Sequence, residues 1–139
     1  MTSRLVVVSG LPASGKTTVG KLLGERLAMP VIDKDAILET LFDSLGCRDR
    51  TERTRLSRAS DEVVYALAAT SPAAILVSWW HRDSAPHRLR AIATSIVEVF
   101  CECPTDVAAA RFASRARHPG HHDGSRTAAE VRRTFEDLP

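Results

Sequence analysis

The 139-residue sequence predicts a single α/β domain in three layers, a parallel sheet with helices on both faces. Three observations carry this. Apolar runs of strand length alternate with stretches of helical period. The strand-like runs are continuously apolar rather than alternating, as in strands buried on both faces. The first of them enters a glycine-rich loop that opens directly into a helix, and strand–helix alternation implies right-handed crossovers.

The elements follow in order along the chain. Leu5, Val6, Val7 and Val8 mark a first strand over 4–9. A helix over 16–28 follows, with Val19, Leu22, Leu23 and Leu27 at helical spacing. Val31 and Ile32 form a short second strand ending at Asp33. The next helix, over 35–45, is expected to bury Ile37, Leu38, Leu41, Phe42 and Leu45. Residues 47–58 are polar and arginine-rich with no strong period. A third helix over 57–70 shows Val63, Val64 and Leu67, and Ser71-Pro72 breaks it. Residues 74–80 read as a buried strand, 84–93 as a helix and 95–102 as a further strand. A fifth helix over 105–117 is stopped by Pro119-Gly120. A last helix begins at Thr127, where Thr127 and Glu130 make a capping box. Four strands are countable. A fifth is expected where the chain reaches Leu138-Pro139, which implies a shortened chain, an unusually small domain, or a sheet completed by another chain.

Composition narrows the class. Hydrophobic residues at 44% and charged residues at 26% are ordinary for a soluble globular domain. The apolar runs fall short of a membrane span, and the N-terminus enters a strand with no secretory signal. A net charge of +2 is too small to argue for nucleic acid by itself. Cys47, Cys101 and Cys103 make an odd count, and one C-x-C pair is a weak zinc signal. Free thiols in a reducing cytoplasm are expected.

Gly10-Leu-Pro-Ala-Ser-Gly-Lys-Thr17 matches the phosphate-loop pattern G-x-x-x-x-G-K-[ST] between a strand and a helix. Gly10 and Gly15 let the backbone curl so that N–H groups converge on phosphate oxygens, assisted by the helix N-terminus. Gly10, Pro12, Ala13, Ser14, Gly15, Lys16, Thr17 and Thr18 are therefore the expected nucleotide-binding residues. Lys16 reaches the β- and γ-phosphates, and the Thr17 hydroxyl is placed for Mg²⁺.

Two further groups accompany the loop. Asp33-Lys34-Asp35 ends the second strand, on the edge of the sheet where ligands bind. A carboxylate there suits activation of a hydroxyl and support of a Mg²⁺ water, while helix capping is the structural alternative for either aspartate. Arg111, Arg115 and Arg117 precede His118-Pro119-Gly120-His121-His122. Arginine forks suit phosphate oxygens, and a segment over about 111–126 is expected to act as a lid. A solvated basic helix face is the alternative. The three histidines lack Cys or Glu partners at ligand spacing, so metal is not expected there.

Together, the phosphate loop, the D-x-D and R-x-x-x-R-x-R-H-P-G-H resemble the zeta-toxin-like, AAA-related P-loop small kinases. Shikimate kinase, gluconate kinase, chloramphenicol phosphotransferase and the kinase domain of polynucleotide kinase are similar in layout. The resemblance spans about residues 4–122 and implies a P-loop kinase fold with ATP and Mg²⁺. It implies Asp35 as general base, Asp33 near Mg²⁺, and Arg111, Arg115 and Arg117 as lid arginines, with Lys16, Asp35 and Arg115 as the catalytic set. Trp79-Trp80-His81-Arg82 falls where such kinases hold the acceptor, which puts Trp80 and Arg82 in that pocket. Strand alternation leaves Trp79 in the core. Residues 75–78 carry no Walker-B aspartate, so Mg²⁺ rests on Thr17 and Asp33.

The leading expectation is phosphoryl transfer from ATP to a small-molecule hydroxyl. A polynucleotide 5′-hydroxyl kinase and a nucleotide-binding module without transfer are the alternatives. Asp35 favours transfer. Four Phe, two Trp and one Tyr with near-neutral charge disfavour a single-strand groove.

Overall fold

The computed structural model describes residues 3–114 and 117–122. Its elements are β1 (Ser3–Ser9), α1 (Lys16–Leu27), β2 (Val31–Asp33), α2 (Lys34–Leu45), α3 (Arg50–Thr70), β3 (Ala73–Val77), α4 (Ala85–Ile92), β4 (Ala93–Phe100) and α5 (Thr105–Ser114), then a 3-10 turn at Pro119–His121. The four strands pair in the order β2-β3-β1-β4, and every pairing is parallel. The helix expected from Thr127 lies outside the described residues.

Alternation along β1 divides the core. Val8 packs with Ile75 and Val77 against Val19 and Leu23 of α1. Leu5 and Val7 pack on the other face with Val64 and Ala68 of α3 and Leu89 of α4. These are the three layers expected of a parallel sheet covered on both sides.

The helices bury narrower faces than their apolar residues suggest. On α1, Leu22 and Leu27 are half exposed. A Cβ at Gly20 would stand 2.5 Å from Val77 Cγ2, and one at Gly24 2.5 Å from Val31 Cγ2. The helix thus lies on the sheet through its glycines, which turns Leu22 and Leu27 away. On α2, Leu38 and Phe42 are buried and Leu45 is exposed; on α3, Val64 and Ala68 are buried while Val63 and Leu67 are not. In β4, an edge strand among the described residues, Ile96, Val97 and Phe100 are exposed.

Three boundaries depart from the sequence expectation. Helix α3 begins at Arg50, because Asp49 Oδ1 accepts from the Glu52 backbone N–H at 2.9 Å and caps it there. Strand β3 ends at Val77, three residues early. Strand β4 ends at Phe100, so Cys101 and Cys103 lie past the strand; they and Cys47 are free thiols, half-buried. No helix among the described residues is long and apolar enough to cross a membrane.

Candidate active site

The β1–α1 loop is shaped by Gly10. Its φ is 140°, and a Cβ there would lie 2.7 Å from Ser14 Oγ and 2.8 Å from the Cys101 carbonyl oxygen. No other residue fits. Gly15, at φ 97°, occupies the N-cap of α1 and leaves that end open to solvent. The Lys16 ammonium donates to the carbonyls of Gly10 at 2.9 Å and Leu11 at 2.8 Å, which holds it over the loop. The Ser14 hydroxyl is buried without a hydrogen-bond partner. A buried orphan hydroxyl is costly and calls for a ligand atom. The loop therefore presents a helix N-terminus, an ammonium and an unused hydroxyl, the donor set an anion requires.

Asp33 joins the loop to the second strand. Its Oδ2 accepts from the Thr17 hydroxyl at 2.9 Å, and its Oδ1 accepts from the Asp35 backbone N–H at 2.9 Å. The helix cap of α2 is thus Asp33, which leaves the Asp35 side chain for other work. Burial pushes the Asp33 carboxyl above its ordinary value, the Thr17 bond opposes this, and the Asp35 charge adds to it. Two hard oxygen ligands this close, one a carboxylate whose charge burial disfavours, fit a divalent cation.

Lys34 ties α3 down over this corner. Its ammonium lies 3.1 Å from Asp61 Oδ1 and donates to Ser57 Oγ at 2.8 Å. Helix α3 then forms a wall. Arg50, Arg53 and Ser57 recur at helical spacing and line a cavity of about 860 Å³. The opposite side carries Lys16, Thr17, Asp33 and Asp35, and Arg111, Arg117, Trp79 and His81 complete it.

The structure brings most of the expected site residues to this one cavity. Pro12, Ala13, Gly15, Lys16, Thr17, Thr18, Asp33, Asp35, Arg111 and Arg117 all line it. Arg117 Nη2 stands 3.5 Å from Asp35 Oδ2, with its guanidinium 4.9 Å from the Phe112 ring centroid. Arg115 and the outer part of the expected lid, residues 123–126, lie outside the described residues. The two indoles are placed the other way round from the sequence expectation. Strand β3 stops before them, so alternation does not govern them. Trp79 lines the cavity, whereas Trp80 donates from Nε1 to the Val8 carbonyl at 3.0 Å and packs edge-on against Tyr65. Trp80 borders a smaller cavity of about 350 Å³ that Trp79 and His81 also line. Arg82 is exposed and lines neither cavity. Sequence reasoning missed the α3 wall of this cavity, and within the 79–82 stretch it singled out Trp80 and Arg82 rather than Trp79 and His81, which line it.

Residues 5–138 match the family model described as an AAA domain. The chain belongs to this family of P-loop small kinases. A candidate kinase from Chloroflexus aurantiacus j-10-fl is 34% identical, with a TM-score of 0.86 over 100% of this chain and 82% of that one. A gluconokinase from Sinorhizobium meliloti 1021 shares the fold at 21% identity, with a TM-score of 0.64 over 98% of this chain and 75% of that one. A shikimate kinase of Paracidovorax citrulli (strain AAC00-1) is 36% identical over 72 residues, 50% of this chain and 39% of that protein. The match thus spans well under half of that curated relative. Family membership agrees with the phosphate loop and the strand order. The α3 wall and the placement of the indoles are features of this chain's own cavity.

Proposed function

We propose that the protein is a kinase that transfers the γ-phosphoryl group of ATP, with Mg²⁺, to a hydroxyl of a small molecule. One observation carries the reading: the phosphate loop and the Asp35 carboxylate line the same cavity. Lys16 and the loop N–H groups would hold the β- and γ-phosphates. Thr17 and Asp33 would hold Mg²⁺, which supplies charge neutralisation at the phosphate oxygens when bound. Asp35 would accept a hydrogen bond from the acceptor hydroxyl, orient it in line, and take its proton late in a loose transition state. Arg117 and Arg111, with Arg115 on the same stretch of chain, would offset charge developing on the transferred group and exclude water.

The acceptor would sit between Asp35 and the α3 wall, against Trp79 and His81, whose rings meet edge-on at 5.0 Å. Arg82 is left out by its exposure. A net charge of +2 and few aromatic residues favour a small acceptor over a polynucleotide, which needs a basic groove with stacking platforms.

The test is a transfer screen. The full chain, with γ-labelled ATP and Mg²⁺, is offered sugars, hydroxy acids, antibiotics, nucleosides and 5′-hydroxyl oligonucleotides. Label on a small molecule, lost in Asp35→Asn, supports the reading. Label on oligonucleotides alone, or on no acceptor, overturns it.

A further inference from the structure

His121 is the one titratable side chain that is fully buried among the described residues, at 0% exposure. The segment that carries it lies along α2. Asp35, Glu39 and Asp43 are spaced four apart, so they form one carboxylate stripe on that helix. Three side chains of the segment meet the stripe in register. Arg117 Nη2 is 3.5 Å from Asp35 Oδ2, His121 Nε2 is 2.8 Å from Glu39 Oε2, and His118 Nε2 is 2.6 Å from Asp43 Oδ1. The Phe42 ring fills the space between, 5.3 Å from the His118 ring and edge-on to His121 at 5.1 Å. His122 and Arg50 extend the seat to α3: the Arg50 guanidinium donates to the His122 carbonyl at 3.0 Å.

The contact between Arg117 and His121 has a specific geometry. Arg117 Nη2 is 3.2 Å from Nδ1 and 3.3 Å from Nε2 of the imidazole. A nitrogen equidistant from both ring nitrogens lies along the lone pair of neither, and Cε1–H blocks an in-plane approach between them. The guanidinium therefore rests on the ring face. Nε2–H donates in the ring plane to Glu39, which fixes the ring's orientation and its tautomer by the network. A guanidinium stacks well on a neutral π face and poorly on a charged imidazolium.

We propose that His121 is a positioning residue: its buried neutral imidazole, braced by Glu39, is the platform that sets the Arg117 guanidinium beside the Asp35 carboxylate. The functional weight of this placement rests on the kinase reading above, because Asp35 is the acceptor-side base there. The charged groups facing the imidazole are Glu39 and Asp35 from α2 and Arg117 from its own segment. Burial lowers the His121 pKa, the Glu39 bond opposes this, and Arg117 lowers it further. The ring is thus neutral at neutral pH. Protonation on acidification would put two cations face to face and displace Arg117.

The experiment follows the His121 imidazole and the Arg117 Nε–H together by ¹⁵N NMR of the full chain, from about pH 8 to about pH 5. Arg117→Lys assigns the arginine signal. The two groups are expected to change with one shared midpoint below that of an ordinary histidine. In Glu39→Gln both midpoints move down together, since the carboxylate that favoured the charged ring is gone. In His121→Gln the Arg117 signal stops responding to pH. An Arg117 signal that ignores the His121 titration, or midpoints that separate in Glu39→Gln, overturns the proposal. Phosphoryl transfer from Mg²⁺–ATP to the acceptor found by the transfer screen is read on the same samples. A turnover loss of about tenfold or more in His121→Gln, with KM for ATP within about twofold, supports the role. Parent turnover with Arg117 uncoupled from pH overturns it. Linked signals together with no label on any acceptor in the transfer screen sink the kinase reading instead, and leave the placement of Arg117 by His121 standing.

Discussion

The Thr17 hydroxyl donates to the Asp33 carboxylate across 2.9 Å, and the second oxygen of that carboxylate caps α2. One side chain thereby couples the N-terminus of the phosphate-loop helix to the start of the helix that carries Asp35. The two jobs are separable by substitution. Asparagine caps a helix as well as aspartate, but it is a poor cation ligand.

Asp33→Asn should leave stability at neutral pH unchanged or slightly higher. Burial holds the Asp33 carboxyl above its ordinary value, so the folded protein binds that proton more tightly than the unfolded chain. The associated stability is full at acid pH and is lost as pH rises through the folded value. At neutral pH the charge is a burden that asparagine lacks. The same variant should need more Mg²⁺ for half-maximal ATP binding. Asp33→Ala should lose the cap as well, at a cost of about 0.5–2 kcal/mol. Urea unfolding of the three proteins, with Mg²⁺ titrations of ATP binding, checks both effects.

Lys16→Ala should fold normally and bind ATP roughly 10–100-fold more weakly, the value of one charge-assisted hydrogen bond to phosphate. The ammonium donates to the backbone carbonyls of Gly10 and Leu11, and Lys16 is not among the buried core residues. Calorimetry with Mg²⁺–ATP reads the affinity. An unchanged affinity would remove the loop from the nucleotide site.

Local signals made the phosphate loop, β1 and α2 legible in the sequence: a buried run, a motif with a mechanism, and a helical apolar period. The start of α3 was not. Arg50, Arg53 and Ser57 face the cavity and Thr51 and Arg55 face solvent, so no apolar period marks the first turns. The Asp49–Glu52 cap was the available signal, and it outweighed the missing period. The indoles were misplaced because the reading carried strand alternation past Val77. The seating of Arg117, His118 and His121 on Asp35, Glu39 and Asp43 is a register between segments more than 70 residues apart. The i, i+4 spacing of the carboxylates is visible in the chain. Its partner is not, because only the tertiary fold lays the Arg-His-Pro-Gly-His turn across that face.

Gly120 is required by contact rather than by backbone conformation. A Cβ at this position would stand 2.4 Å from two ring atoms of Phe42. Gly120→Ala should therefore lift the turn from α2 at a cost of about 1–3 kcal/mol. Pairing it with Phe42→Ala removes both ring atoms in the way and should recover part of the loss, so the two changes are non-additive. A double-mutant cycle by thermal unfolding measures the coupling, and strict additivity would mean that the turn does not rest on Phe42.

Asp35 separates chemistry from stability most cleanly. Its side chain is 52% exposed, its neighbour Asp33 supplies the cap, and the Arg117 guanidinium is 3.5 Å away. Asp35→Asn therefore removes little from the fold, at most the roughly 0.3–1 kcal/mol of a charge in the first helical turn. The effect on transfer is of another size. A hydroxyl acceptor is a weak nucleophile, and a carboxylate that orients it and takes its proton contributes roughly 10²–10⁴ in rate. Asparagine keeps the shape and one hydrogen-bonding oxygen but cannot accept the proton. With the acceptor found by the transfer screen, kcat should fall by about that factor while the affinity for Mg²⁺–ATP stays within about twofold. The parent kcat in Asp35→Asn would show that the Asp35 carboxylate does not serve the acceptor. Transfer would then rest on the phosphate loop and its cation without a carboxylate base at Asp35, and Arg117 would be held beside Asp35 for structure alone.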